Sequence, residues 1–348
     1  MQKNIYSLLI ISVCLFTIPI RAQYQNIIVG NSINTYEPFE PSIVVNPYNT
    51  SHILIGANSD NYYYSTDGGM NWQHGVLNSS FGVIGDPCVL VDQNGNYYYF
   101  HLVPNMSRVV CQKTNSIGGS WSNGSYTGVN GTKDNDKEWA TIDQDNGNVY
   151  VAWAQFDEHG SFNTLDSSEI QLSRSTDGGL TWSVPVVVSD RKGNAQGSNY
   201  SDHAPMPAIG PNNELYVTWM GPEGLMFDKS TDEGLTWLQN DINVSGFHIN
   251  WLVFNVPGVE IVPGFPIINC DLSSSVYNGN IYICWTDQRN GYNDTDVWLT
   301  KSSDAGLSWS PPIRVNDDGP GRHQFFAWMT IDQTNGYLYF VFYDRRNY

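Results

Sequence analysis

Basic residues are scarce in this sequence, which has 16 lysines and arginines against 34 aspartates and glutamates, and a net charge of -18. Such a charge repels phosphate backbones and anionic lipid surfaces. Nucleic acid is therefore not an expected partner. An anionic sugar would need a local cluster of arginines, so the position of each arginine matters.

Long apolar runs are lacking after residue 20. Before it, Lys3 precedes an apolar run at 5–20 that ends in Arg21-Ala22-Gln23. This layout predicts a secretory signal over residues 1–22, and the run is shorter than the roughly 20 residues of a spanning helix. We expect a protein that is secreted or on the cell surface and is not inserted in a membrane.

Cysteine is also rare, and only Cys88, Cys111, Cys270 and Cys284 follow the predicted signal. The first two fall on strands that we expect to lie two strand spacings apart, roughly 9.5 Å, which is too far for a disulfide. The second pair falls on neighbouring strands but out of register. We predict buried free thiols.

What the sequence has in abundance is one repeated segment with the pattern Ser-x-Asp-x-Gly-x-x-Trp. Its copies start roughly 50 to 70 residues apart, a spacing that suits a four-stranded sheet with variable loops. The four full copies and one degenerate copy are Ser65–Trp72, Ser175–Trp182, Ser230–Trp237, Ser302–Trp309 and Thr114–Trp121.

The residue types of this box are those of a hairpin turn. Its Asp can accept backbone N–H bonds, its Gly can adopt positive φ, and its Trp can insert between neighbouring elements. We therefore expect the box aspartates Asp67, Asp177, Asp232 and Asp304 to be structural and not catalytic.

A second repeat precedes the boxes and consists of two short β-rich runs around a polar turn, as in Pro87–Asp92 and Gly95–Phe100. These runs predict the inner two strands of each sheet, with the box joining the outer two. Segments of helical period are essentially absent. The sequence predicts an all-β fold with a single domain over 23–348.

From Glu40 onward the chain resembles the Asp-box (BNR repeat) family of sialidase-like β-propellers. The resemblance implies a six-bladed β-propeller, which we expect to be monomeric. It also implies that the boxes lie on the face away from the active site. Functional residues are then expected before each first strand and after each second strand.

Charged and polar residues are frequent at these positions. Before the first strands stand Glu40, Asp86, Asp136, Lys137, Glu138, Asp202, His203, Arg322, His323 and Gln324. After the second strands stand Asp157, Glu158, His159, Glu223, Asp287, Arg289, Asp344, Arg345 and Arg346.

Two of these loops repeat an Asp-Arg motif, at 285–289 and 342–346. A guanidinium fork suits a substrate carboxylate, so Asp287 with Arg289 and Asp344 with Arg345 are candidate binding clusters. The alternative is that each arginine pairs with the aspartate of its own sheet.

The resemblance to sialidases implies an arginine triad, with Arg289, Arg322 and Arg345 as the available counterparts. It further implies a tyrosine nucleophile activated by a glutamate, and an aspartate as acid/base. The residues of suitable type are Tyr343, Glu138, Glu223 and Asp202.

Other chemistries fit the same face. Paired carboxylates support ordinary glycoside hydrolysis, and His203 and His323 allow a polysaccharide lyase, while Gln324 is a further substrate-binding candidate. An aromatic wall at Phe325, Phe326 and Trp328 could stack a sugar ring.

Two acidic pairs offer oxygen ligands of the type that calcium prefers. They are Asp134 with Asp136, and Asp294 with Asp296. Neither matches a full calcium loop, so solvated acidic turns are the favoured interpretation and no metal or cofactor is predicted.

The function that these observations favour is a secreted glycan-active protein, foremost a sialidase-like exo-glycosidase, with a carbohydrate as its partner. The alternatives are a non-catalytic propeller that binds glycan or protein at the cell surface, and a polysaccharide lyase.

The sixth blade is predicted to be incomplete, with Phe325–Asp332 and Tyr337–Tyr343 as inner strands and no box after them. The segment Gln25–Val29 reads as a strand that could close the ring. We expect a truncated chain with unpaired strand edges at this blade and a tendency to aggregate.

Overall fold

The structure is a computed structural model that describes residues 26–30, 39–246, 253–259 and 261–347. These residues form 23 β-strands and no helix, which confirms the all-β prediction. Within this part of the chain, no helix is long and apolar enough to cross a membrane. The predicted signal at 1–22 lies outside the described residues.

The strands form antiparallel sheets that follow one another along the chain. Sheets 1 and 2 contain β1 Ser42–Val45, β2 Ile53–Ala57, β3 Asn61–Ser65, β4 Gln73–Val76, β5 Gly85–Val91, β6 Tyr97–Leu102, β7 Val109–Thr114 and β8 Ser125–Thr127. Sheet 3 contains β9 Asp134–Ile142, β10 Val149–Phe156, β11 Ser167–Ser175, β12 Val186–Val187 and the short β13 Gly193–Asn194.

The other three sheets follow the same order of strands. Sheet 4 contains β14 His203–Ile209, β15 Leu215–Gly221, β16 Gly224–Ser230 and β17 Ile242–Gly246, and sheet 5 contains β18 Ile267–Cys270, β19 Ile281–Asp287, β20 Asp296–Ser302 and β21 Ile313–Arg314. Sheet 6 contains β22 Gln324–Asp332 and β23 Tyr337–Asp344.

The first strands of consecutive sheets contact each other, from β1 through β5, β9, β14 and β18 to β22. Apolar side chains fill the spaces between neighbouring sheets, as in the cluster that joins sheets 4, 5 and 6. Trp139 of β9 and Trp328 of β22 meet with ring centroids 4.9 Å apart. The first strands therefore surround a common, aromatic-filled centre.

Each box forms the turn between the third and fourth strands of its sheet, as predicted. In the first box, Ser65 Oγ donates to Asp67 Oδ1 at 2.8 Å and accepts from Gly69 N at 2.8 Å. Asp67 Oδ1 also accepts from Asn71 N at 2.9 Å. The turn is thus held by hydrogen bonds among its own residues.

Boxes also join a sheet to the one before it. In sheets 3 and 5 the box tryptophan packs against an aromatic ring of the preceding sheet, with Trp182 on Phe100 at 5.8 Å and Trp309 on Phe227 at 5.1 Å between centroids. A cationic side chain from the preceding third strand donates to a carbonyl of the box turn, as Lys229 Nζ does to Ala305 O at 3.0 Å. These contacts connect neighbouring sheets at the box end.

The four cysteines after the predicted signal are free and buried, which confirms that prediction. Burial raises the pKa of Cys270 to about 12, so this thiol stays protonated at neutral pH. These cysteines contribute apolar packing inside the sheets.

Sheet 6 has two strands within the described residues. The prediction of a strand at Gln25–Val29 is wrong for residues 26–29, which form no strand, and Gln25 lies outside the described residues. Gly30 instead lies so close to Tyr63 of β3 that a Cβ there would meet the ring at 2.5 Å. A closed ring of six blades stays a prediction.

Candidate functional site

The first strands begin with a repeated backbone irregularity at the sheet ends opposite the boxes. Glu40, Asp86, Lys137, Ala204 and Phe326 all adopt φ between 49° and 53°. In sheets 2, 3, 4 and 6 this residue lies where the register of the first two strands shifts. Such bulges re-aim side chains, and they are common beside active sites.

Three of these bulge side chains meet. Lys137 Nζ lies 3.0 Å from Glu40 Oε1 and 2.8 Å from Asp86 Oδ1. Asn58 Nδ2 donates to Glu40 Oε2 at 2.6 Å, and its Oδ1 accepts from Asp86 N at 2.7 Å. Side chains from sheets 1, 2 and 3 thus form one polar cluster. We name Glu40, Asp86, Asp136, Lys137 and Glu138 the carboxylate rim.

The two carboxyls on Lys137 differ in protonation. Burial raises the pKa of Asp86 to about 7. The charge of Asp136 and a hydrogen bond between Asp86 and Glu40 act in the same direction, whereas the positive charge of Lys137 opposes them. Burial opposes the ionisation of Glu40 too, but Lys137 and Asn58 hold the pKa of Glu40 below its usual value. At neutral pH the pair therefore holds one carboxylate and one group close to its titration point.

Glu138 lies beneath this cluster and is 2% exposed. Neither of its carboxylate oxygens has a hydrogen-bond partner. Burial, followed by the charge of Asp86, raises the pKa of Glu138 well above its usual value. This predicted catalytic residue is therefore enclosed, and its burial disfavours the ionised form.

Asp136 faces two histidines. His203 Nε2 lies 2.9 Å from Asp136 Oδ2, and His159 Nε2 lies 3.6 Å from the same oxygen. Both rings pack against the edge of Phe156, and His203 also lies beside Phe265. The predicted binding residue His203 thus lies next to the rim, whereas His159 comes from the loop after β10.

Two other predicted catalytic residues lie in different surroundings. Asp202 is 1% exposed and accepts from Trp219 Nε1 at 3.1 Å and Gly193 N at 3.0 Å. Its burial raises its pKa to about 8. Glu223 is exposed and pairs with Arg191. The candidate catalytic role of Glu223 stays a prediction, and its carboxylate lies at the surface beside Arg191.

Arg289 pairs with Asp287 of its own sheet, which is the alternative interpretation of this motif. Both Nε and Nη2 bind Asp287, at 2.9 and 2.5 Å to Oδ2. The guanidinium lies 4.3 Å from the ring centroid of Trp298. Arg289 N also donates to Asp287 Oδ1 at 3.0 Å, so a local Asp-x-Arg turn ties the pair together.

The equivalent turn in sheet 6 joins Asp344 to Arg346 and not to Arg345, because Arg346 N donates to Asp344 Oδ1 at 2.9 Å. Arg345 instead donates through Nη1 to Pro257 O. Arg322 is exposed, and its Nη1 lies 3.4 Å from Gly321 O. No mutual contact unites the three predicted triad arginines in the described part of the chain.

The remaining predicted binding residues form a network and a shallow cavity in sheet 6. Gln324 Nε2 donates to Asp344 Oδ1 at 3.0 Å, and His323 Nδ1 lies 3.0 Å from Thr295 Oγ1. Burial, and then the charge of Arg345, lowers the pKa of His323. A cavity of about 470 Å³ is lined by Pro257, Gly258, Val259, Phe325, Tyr343, Asp344 and Arg345.

Tyr343 lines this cavity and stacks on Phe325, with centroids 5.5 Å apart. Among the described residues, no glutamate hydrogen-bonds to Tyr343, so the predicted activation by Glu138 or Glu223 is not present. The aromatic wall is also divided, because Phe325 is buried, Phe326 is 43% exposed and Trp328 packs in the centre.

The acidic pairs considered for calcium are hydrogen-bond acceptors. Asp294 Oδ1 accepts from Gly321 N at 2.8 Å, and Asp296 Oδ1 accepts from Asn316 Nδ2 at 2.6 Å. Asp294 and Asp296 are buried, so the interpretation as solvated turns is wrong for them. Asp134 Oδ2 accepts from His159 N at 2.8 Å and so fixes the loop that carries this histidine.

Glu40, Asp86 and Lys137 lie on this face as predicted, whereas Asn58, which binds Glu40 and Asp86, is not among the predicted residues. Three bulge residues are followed by proline, at Pro41, Pro87 and Pro205. That recurring proline was a signal of the bulges in the sequence.

The family model of the BNR/Asp-box repeat matches residues 63–74, which contain the first box. No curated protein matches the chain in sequence. Solved structures share its fold at low identity, and that likeness shows the fold alone.

Three of these structures illustrate the likeness. The Hadza microbial sialidase Hz136 is 13% identical with a TM-score of 0.54, and the match covers 88% of this chain but only 65% of the sialidase. The α-L-arabinofuranosidase Arb93A of Fusarium graminearum is 13% identical over 86% of both chains, with a TM-score of 0.52. A PL25 ulvan lyase is 12% identical with a TM-score of 0.51, over 82% of this chain and 71% of the lyase.

The chain thus carries a BNR/Asp-box repeat at the turn between the third and fourth strands of its first sheet, and it shares the fold of these solved structures.

Proposed function

We propose that this protein is a secreted glycan-active enzyme of the glycoside hydrolase type, with its acid/base chemistry at the carboxylate rim. The observation that carries the proposal is the pair of carboxyls on Lys137, whose pKa values are pushed to opposite sides of their usual range. Two carboxyls in different protonation states are one of the requirements of glycoside hydrolysis.

Asp86 is the general acid in this proposal. Near neutral pH part of the Asp86 population carries a proton, which it can pass to the departing glycosidic oxygen. Glu40 is the ionised partner that assists attack at the sugar carbon, either directly or through water. Lys137 positions both carboxyls, and its ammonium keeps Glu40 ionised.

The finer proposal is a sialidase-like exo-glycosidase. Its support is the cavity in which Arg345 and Tyr343 lie together, since a guanidinium suits a sugar carboxylate. Arg289 is not part of this proposal, because Asp287 occupies its guanidinium. Export through the predicted signal at 1–22, a closed six-bladed ring, and a monomeric state belong to the same proposal.

The test is hydrolysis of sialyl, uronyl, arabinosyl and neutral aryl glycosides by the wild type, Asp86→Asn and Asp232→Asn. Asp232 is a matched control because it carries the same substitution in a box at the other end of its sheet. We expect Asp86→Asn to lower kcat by about 10² to 10⁴, as for loss of a general acid, and Asp232→Asn to retain kcat.

Other results would contradict or change the proposed function. Unchanged kcat in Asp86→Asn would remove Asp86 from the mechanism. Measurable glycan binding without turnover on any substrate would favour a non-catalytic propeller. Products with an unsaturated sugar end would indicate a lyase, with His203 on Asp136 as the candidate base. Cleavage of sialosides that is insensitive to Arg345→Ala would remove Arg345 from recognition.

A further inference from the structure

Asp136, His159 and His203 bring three potential metal ligands together beside the rim. Asp136 belongs to β9, His203 begins β14 and His159 lies in the loop after β10. One ligand atom from each residue lies within 4.8 Å of the other two. The proposed hydrolysis does not use these two histidines, so the cluster calls for a separate explanation.

The spacing of these atoms is close to that of a coordination shell. Asp136 Oδ2 lies 2.9 Å from His203 Nε2 and 3.6 Å from His159 Nε2. Zinc binds imidazole nitrogen and carboxylate oxygen at roughly 2.0–2.2 Å, so tetrahedral ligand atoms lie roughly 3.3–3.6 Å apart. Small movements of the side chains would let one ion contact all three atoms.

The rings are held in place by neighbours other than the metal ligands. Phe156 packs edge-on against His159 at 4.7 Å and against His203 at 5.8 Å between centroids. Asp134 Oδ2 accepts from His159 N at 2.8 Å, which anchors the loop. This preorganisation reduces the entropy that ordering the ligands on binding would cost.

The surroundings also favour a cation and leave it accessible. Glu40 and the ionised fraction of Asp86 both lie on Lys137, and they offset the positive charge of this neighbouring ammonium. The His159 side chain is 35% exposed. Gly197 lies against this ring, and a Cβ at that position would approach His159 Nε2 to 2.9 Å. The glycine therefore keeps one side of the ligand atom clear.

We propose that Asp136, His159 and His203 bind a divalent transition metal, foremost zinc, as a three-ligand site with an open coordination position. A two-histidine, one-carboxylate set that leaves an open position is typical of sites that bind water or substrate on the metal.

The test is calorimetric titration of chelator-treated full-length protein with Zn²⁺, together with the visible absorption spectrum after Co²⁺ is added. We expect one zinc ion per chain and a spectrum with nitrogen and oxygen ligation. His159→Ala should raise the Kd at least 10-fold. His74→Ala is the matched control, because His74 is another exposed histidine that stacks on an aromatic ring, Tyr63.

Gly197→Ala provides a second test that leaves all three ligands in place. Its added Cβ should also weaken zinc binding, because it crowds His159 Nε2. Absence of stoichiometric binding, or a Kd that is the same in His159→Ala and the wild type, would overturn the proposal and indicate adventitious binding. Because binding is measured without a glycan, failure of the proposed hydrolysis would leave this result unaffected.

Discussion

At the box end of the sheets, Asp177 is exposed, and hydrogen bonds from Thr181 and Ser175 lower its pKa to about 2. At the opposite end, burial raises the pKa of Asp86 to about 7. The box aspartate accepts hydrogen bonds from donors two to four residues away, whereas Asp86 binds a lysine that lies 51 residues away in the next sheet. The same residue type is thus a permanent turn-forming anion at one end and a titrating group at the other.

The largest difference between the two ends should appear in the pH dependence of stability. The pKa of Asp86 is raised, so the native state binds more protons than the unfolded state between the usual value of 3.8 and about 7. Stability is therefore lost as pH rises through that window. We expect Asp86→Asn to gain stability relative to the wild type from pH 4 to 7, by several kcal/mol at about 1.4 kcal/mol per pKa unit.

Asp232→Asn should show the opposite behaviour. The pKa of Asp232 is lowered to about 2, so its stabilisation is present above 3.8 and is lost as pH falls through 2. The free energy of unfolding of Asp232→Asn should therefore be lower than that of the wild type by a constant amount above pH 5, and this difference should shrink toward pH 2. Urea unfolding of both variants across this pH range checks the pair, and parallel pH profiles would contradict the comparison.

The packing at the box end can be disrupted by adding a side chain to a box glycine. Gly306 has φ 85°, and a Cβ there would meet the ring of Phe227 in the preceding sheet at 2.3 Å. We expect Gly306→Ala to lower the free energy of unfolding by about 3 kcal/mol, from left-handed strain and overpacking together.

Gly68 is the control for this prediction, because it has φ 74° but nothing within 4 Å of a Cβ. Gly68→Ala should therefore cost about 1 kcal/mol, from strain alone. Chemical denaturation of both variants measures the difference, and equal losses would mean that contact with the preceding sheet does not matter.

The ion pairs of the carboxylate rim can be removed by substituting its lysine. Lys137→Met removes the cation that joins Glu40 and Asp86 and leaves both carboxyls without it. We expect a loss of about 2 kcal/mol near neutral pH, between the values for exposed and buried pairs. Lys229→Met is the control, since Lys229 Nζ donates to the carbonyl of Ala305 at the box end, and this variant should lose about 1 kcal/mol. A larger loss of stability in Lys229→Met than in Lys137→Met would contradict this expectation.

The box end could be predicted from the sequence because its contacts are local. Each box holds its serine, aspartate and glycine within five residues, and those residues determine the turn by themselves. The strands on either side, the free cysteines and the inter-sheet role of the tryptophans followed from the same pattern.

The rim could be predicted only in part, because its contacts are distant along the chain. Lys137 and Glu40 are 97 residues apart, and Asn58 carries no motif that links it to either. The arginines were misassigned for a related reason. A guanidinium fork was expected to face a ligand, but the backbone turn at Asp287 directs Arg289 to its own aspartate.

The most direct test of this account is a ¹³C NMR titration of protein labelled at the aspartate carboxyl carbon, with Asp86→Asn and Asp232→Asn used to assign the two resonances. The account predicts that the Asp86 carboxyl titrates near pH 7 and that the Asp232 carboxyl is still ionised at pH 3. An Asp86 carboxyl that titrates near its usual value of 3.8, or an Asp232 carboxyl that does so, would contradict it.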